Sequence, residues 1–146
     1  MERNIRLRAI GHLHDLPDKA RKRLDAAIAR SAGNTALDLT LALSYGGRTE
    51  IADAARAIAR EACAGALDPD AITEDTVAAH LYTAGQPDPD LLVRTSGEMR
   101  ISNFLLWQLS YTEIVVTPKL WPEFTKEDLF AAIREYAGRH RRYGGV

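Results

Sequence analysis

Apolar positions recur along the chain with two periods. Ile5 to Ile10 and Leu37 to Leu43 alternate between apolar and polar side chains, as a half-buried strand does. Leu91-Leu92-Val93 is an unbroken aliphatic run, the pattern of a strand covered on both faces, and is expected to be central. Ile114 to Val116 makes a fourth strand.

Between these runs the period lengthens to that of a helix. Pro17 suits a first turn, and Ala20, Leu24, Ala27, Ile28 and Ser31 share a face until Gly33. After Arg48, the residues Ile51, Ala54, Ala55, Ile58 and Ala62 form a second stripe, closed by Gly65. Thr73 caps a short third helix reaching about Tyr82, before Gly85-Gln86-Pro87-Asp88-Pro89 breaks the chain. Thr125 with Asp128 resembles a capping box, with Leu129, Phe130, Ile133 and Tyr136 as the buried stripe of the helix that follows. Strands alternating with helices predict an α/β fold, a mostly parallel sheet with flanking helices, in one domain over 1–146.

Composition narrows the function classes. A net charge of −1 provides no overall basic field for nucleic acid or an anionic membrane surface, so any anion site must be local. The lone Cys63 excludes an intrachain disulfide and fits a reducing compartment; on its helix among alanines it reads as a core or boundary residue. Charges follow Met1 closely, without an apolar stretch of the length a signal peptide or membrane span needs; a soluble, cytoplasmic protein is expected.

Ligands of open parallel sheets lie beyond the carboxyl ends of the strands. Two loops are expected there. Ser44-Tyr45-Gly46-Gly47-Arg48 leads into a helix and suits either an anion or a tight turn. The second, Arg94-Thr95-Ser96-Gly97-Glu98-Met99-Arg100-Ile101-Ser102-Asn103, sets two guanidinium groups among hydroxyls, which suits a diphosphate; ion pairs from Glu98 to Arg94 or Arg100 are the alternative. Glu113, just ahead of a strand, needs a partner, either an arginine or a divalent cation. Arg139-His140-Arg141-Arg142 concentrates cations at a helix C-terminus, where they complement its dipole. His12 and His14 share a face after the first strand, with no third metal ligand visible.

The run from Pro87 through Glu98, continuing as Arg100-Ile101-Ser102-Asn103-Phe104-Leu105-Leu106-Trp107-Gln108, resembles the signature of the cis-prenyltransferases, typified by undecaprenyl diphosphate synthase. The similarity extends to Tyr111, Glu113, Leu120-Trp121-Pro122-Glu123-Phe124, Arg142-Tyr143-Gly144, Tyr45-Gly46-Gly47-Arg48 and Ile5-Arg6-Leu7-Arg8. It implies that Arg94, Arg100 and Ser102 hold the diphosphate of isopentenyl diphosphate and that Glu113 helps to hold Mg2+, often across a dimer interface. Arg142 and Gly144 match the Arg-x-Gly motif that reaches the partner subunit's substrate. The implied reaction is cis-condensation with an allylic diphosphate to a polyprenyl diphosphate, by a homodimer whose product associates with membrane.

Ser96 stands where many bacterial members carry glycine, Met99 where many carry histidine, and Ser44 where many carry asparagine. The family's N-terminal Asp-Gly-Asn-Gly-Arg-Trp motif, whose aspartate anchors magnesium, is nowhere in the sequence. Met1 falls at what resembles the middle of a family member, so the chain is expected to be its C-terminal portion, inactive alone and completed by the family's N-terminal segment, either fused to it or supplied as a companion polypeptide. A noncatalytic subunit or inactive fragment of a heteromeric cis-prenyltransferase is the alternative, disfavoured because Arg94, Arg100 and Ser102 are all kept. A nucleotide-binding α/β domain would need a dinucleotide fingerprint that the sequence lacks. Apolar Phe104, Leu105, Leu106, Trp107 and Leu109 are expected to form an exposed dimerisation patch.

Overall fold

Strand β1 (Ile5–Ile10) and strand β2 (Leu37–Ala42) run parallel in a computed structural model that describes residues 4–139, with Ile5 opposite Leu37 and Ile10 opposite Ala42. They belong to the first of two units into which the chain divides, Met1–Gly85 and Gln86–Val146. Helix α1 (Asp18–Ser31) connects the strands and ends in a polar stitch. Ser31 Oγ accepts from Leu7 N at 3.0 Å and donates to Ala27 O at 2.9 Å, while Asn34 Nδ2 donates to Ile5 O at 2.7 Å. Side chains at the end of α1 therefore occupy backbone groups of β1 that another strand would otherwise take.

The two faces of this sheet differ. On one, Arg6 holds Asp38 directly across the register through two hydrogen bonds of 2.5 and 2.6 Å. On the other, the Leu37, Leu39 and Leu41 side chains remain 55%, 46% and 36% exposed, although alternation of this kind ordinarily turns the apolar side inward.

Helix α2 (Gly47–Cys63) buries Ala54 and Ile58 as the stripe predicts, but Ala55 is exposed and Cys63, read from sequence as core or boundary, is exposed too. The third helix, α3 (Glu74–His80), starts where Thr73 predicts: Thr73 and Thr76 exchange side-chain and backbone hydrogen bonds of 3.1 and 3.3 Å. It packs on α2.

In the second unit, β3 (Leu91–Arg94) pairs in parallel with β4 (Glu113–Val116), Leu91 opposite Glu113 and Arg94 opposite Val116. Among the described residues β4 is the only strand paired to β3, so the expected central position of Leu91–Val93 is not what the chain itself forms. The unbroken run instead serves two faces: Val93 and Val115 lie on the side of helix α4 (Lys126–Ala137), while Leu92, Arg94, Ile114 and Val116 line a cavity on the other.

Helix α4 is capped as predicted, with Thr125 N donating to Asp128 Oδ2 at 2.8 Å. Its inward face is a different one from the expected stripe. Asp128, Ala131, Ala132 and Glu135 turn toward β3 and β4, and Leu129, Phe130 and Ile133 stay 41–45% exposed. Two polar ties fix this rotation, Lys119 Nζ to Asp128 at 2.7 Å and Arg139 bridging Glu135 at 2.5 Å to Glu113 at 2.7 Å, and the alanines between them permit close approach. The segment 104–109, expected as an exposed patch, is half-buried or buried throughout.

Among the described residues no helix is long and apolar enough to cross a membrane.

Candidate functional site

The residues after β3 curl back on themselves. Ser96, Gly97, Ser102 and Asn103 take left-handed φ values of 68°, 66°, 53° and 61°, and the turn is pinned where Ser96 N donates to Lys119 O at 2.8 Å and Gly97 N to Thr117 O at 2.9 Å. This curl returns positions 100 and 102 to the side chain at 94.

Arg94, Arg100 and Ser102, singled out from the sequence, are thereby brought together. Ser102 Oγ accepts from Arg100 Nε at 3.2 Å and from Arg94 Nη2 at 3.4 Å. Glu98 lies between the guanidinium groups, accepting from Arg94 Nη2 on one oxygen and from Arg100 Nη2, at 2.5 Å, on the other. The ion-pair alternative is thus realised as well: one carboxylate bridges two arginines, and two cations against one anion leave a net positive cluster. Arg94 Nε is buried without a hydrogen-bond partner, a donor whose desolvation an added anion would compensate.

Beside the cluster is a cavity of about 340 Å³. Leu92, Ile101, Ile114 and Val116 give it apolar walls, and Arg94, Glu98 and Arg100 give it a charged side. Cationic groups against an aliphatic hollow suit an amphiphile with an anionic head and a short hydrocarbon part.

Glu113 is not part of this cluster. It pairs with Leu91 at the start of the sheet whereas Arg94 pairs with Val116 at its end, three residues or about 10 Å along the strands. Its partner is Arg139, whose guanidinium pKa is raised by its hydrogen bonds, that to Glu113 foremost. Sequence reasoning assigned Arg139 only to the helix dipole; the 26-residue separation of the pair gave no local signal. One half-buried carboxylate can supply one oxygen to Mg2+, which prefers near-octahedral oxygen ligation completed by phosphates and water. Glu113 fits that limited role and no larger one. Arg142 and Gly144 lie outside the described residues.

In the first unit the loop at 44–48 closes over a polar network that the sequence did not disclose. Glu50 is 1% exposed and accepts from the Tyr45 hydroxyl and, at 2.8 Å, from Tyr82 N. Asp53 accepts from His12 Nε2 at 2.7 Å, from the Tyr82 hydroxyl and from Arg56 at 2.5 Å. These donors, His12 foremost, hold the Asp53 carboxyl well below the usual range, while burial and then Asp53 push the Tyr82 phenol up. The available signal was Glu50 itself, a carboxylate one turn before Ala54 on the buried stripe of α2.

Residues 1–144 match the family model described as "Putative undecaprenyl diphosphate synthase". The chain is 55% identical to the isoprenyl transferase of Heliobacterium mobile over 99% of its own length and 55% of the relative's. It is 52% identical to that of Geobacter sulfurreducens over 97% and 57%. Its structure resembles lavandulyl diphosphate synthase of Lavandula x intermedia, solved with dimethylallyl diphosphate, with a TM-score of 0.96 and 42% identity over 99% of this chain and 62% of that one. The chain therefore spans little more than half the length of these curated relatives.

Proposed function

The chain belongs to the cis-prenyltransferase family, and on that premise we propose that it carries the diphosphate grip for isopentenyl diphosphate in the synthesis of a polyprenyl diphosphate. The observation behind this reading is the convergence of Arg94, Arg100 and Ser102 beside an apolar hollow. Diphosphate carries more charge than a carboxylate and offers oxygens on two phosphorus atoms, so it competes with Glu98 for both guanidinium groups and gives Arg94 Nε an acceptor. Leu92, Ile101, Ile114 and Val116 then take the five-carbon part.

In this reading the C–O bond of an allylic diphosphate breaks, the double bond of isopentenyl diphosphate attacks the freed carbon, and a proton is lost as a new cis double bond forms. The arginines hold the nucleophile in place, which lowers the entropic barrier to its attack. Glu113 supplies one oxygen to Mg2+, whose chemistry when bound is to offset charge on the departing diphosphate. Because Glu113 stands at the other end of its sheet from Arg94, its contribution is assigned to a partner subunit's site, as is that of Arg142 and Gly144; the working assembly is a homodimer in the cytoplasm whose lipid product passes to membrane. The segment bearing Asp-Gly-Asn-Gly-Arg-Trp, as a continuous chain or a companion polypeptide, supplies the remaining magnesium ligand and the allylic pocket.

Calorimetry with isopentenyl diphosphate tests the grip. Arg94→Ala and Arg100→Ala should each cost about 2 to 5 kcal/mol of binding, the range for removing one partner of a hydrogen-bonded charge pair. Unchanged affinity in both variants would reduce the arginines to partners of Glu98.

A further inference from the structure

Gly11 makes a close crossing at the end of β1. Its φ is +108° and a Cβ there would stand 2.1 Å from Leu43 O, so only glycine fits; His12 N then donates to Ser44 O at 3.2 Å. The chain next winds into one 3₁₀ turn, Leu13–Asp15. This geometry gathers side chains that the sequence left one ligand short.

We propose that His12, His14 and Asp15 form a binding site for one divalent transition-metal ion of the zinc class, with Asp53 orienting His12. One donor atom from each of the three lies within 4.8 Å of the others. His12 Nδ1 is 3.8 Å from Asp15 Oδ2, and His14 Nε2 is 3.3 Å from Asp15 Oδ1. Ligands about 2.0 to 2.1 Å from a tetrahedral zinc sit a little over 3 Å apart, so small side-chain rotations close the set.

Asp53 decides the tautomer of His12. Its carboxylate is acceptor-only, and it already receives the Tyr82 hydroxyl and Arg56. His12 Nε2, 2.7 Å away, is therefore the donor to Asp53, which makes Nδ1, the atom nearer Asp15, the nitrogen that would ligate a metal. A carboxylate behind a ligating imidazole fixes the ring and raises its basicity, the second layer that metal-bound histidines usually have. The His14 and Asp15 side chains are 71% and 54% exposed, which leaves an entry path and room for water as a further ligand. Two imidazoles and one carboxylate favour zinc, cobalt or nickel over magnesium, whose preference is for oxygen. The site shares no residue with the arginine cluster, and its test is independent of prenyl transfer.

Cobalt(II) is the probe, titrated into the full chain carrying Cys63→Ser to remove the exposed thiol. One equivalent should develop the visible bands of four- or five-coordinate cobalt, bleached by zinc and indifferent to millimolar magnesium. His14→Ala and Asp15→Asn, both at exposed positions, should each weaken binding at least about tenfold, with far-UV circular dichroism reporting the fold. Asp53→Asn, which removes no ligand, should weaken it about 10- to 100-fold. Absence of the bands at millimolar cobalt, or equal affinity in His14→Ala and Asp15→Asn, would overturn the site. Unchanged affinity in Asp53→Asn alone would overturn the orienting role.

Discussion

At the scale of single residues, the two serines at which the sequence departs from its family fall where the backbone turns left-handed. Ser96 has φ +68° and Ser44 +46°, the positions at which the family resemblance implies glycine and asparagine. A side chain in that region costs about 1 to 2 kcal/mol, which glycine avoids while giving back about 0.5 to 1 kcal/mol in unfolded-chain entropy. Ser96→Gly is therefore expected to stabilise the chain by up to about 1 kcal/mol, raising Tm by at most about 4 °C. A lower Tm would mean that the Ser96 side chain contributes a bond stronger than its backbone cost. The convergence of Arg94, Arg100 and Ser102, and their pairing with Glu98, was legible because the members lie within nine positions of one loop. Arg139 with Glu113, and Asp53 with His12 and Tyr82, were not, since each pairing exists only once distant elements pack.

Elements were read better than their faces. All four strands and four helices stand where periodicity puts them, because glycine, proline and capping threonine mark their ends locally. The rotation of α4 was misread because apolar residues were taken to point inward, whereas Asp128 and Glu135 are drawn to Lys119 and Arg139. Asp128 has its carboxyl pKa lowered to about 2, first by the Lys119 hydrogen bond and then by the Thr125 backbone and hydroxyl. A depressed carboxyl contributes stability that is complete above its ordinary value near 3.8 and is lost as pH falls toward 2. Thermal melts should accordingly show the chain more stable than Asp128→Asn at neutral pH, with the gap closing between about pH 4 and pH 2. A gap that ignores pH would assign the effect to packing.

At the scale of the whole molecule, the family and the parallel α/β architecture were both readable from motifs. The boundary between the two compact units falls at Gly85-Gln86-Pro87-Asp88-Pro89, the segment read in the sequence as a break in the chain. The leucines of β2 and the apolar residues Leu129, Phe130 and Ile133 of α4 are exposed faces of the two units. In the proposed reading one half-buried glutamate, already paired with Arg139, supplies too few oxygen ligands to hold magnesium against a leaving diphosphate by itself, and the Asp-Gly-Asn-Gly-Arg-Trp motif is not in these 146 residues. The deciding measurement is product formation by residues 1–146 incubated with farnesyl diphosphate, labelled isopentenyl diphosphate and magnesium, with and without the family's N-terminal segment, fused or co-expressed. Labelled polyprenyl diphosphate should appear only when that segment is present and should vanish again in Arg94→Ala; elongation by the 146-residue chain alone, or elongation indifferent to Arg94, would contradict the account.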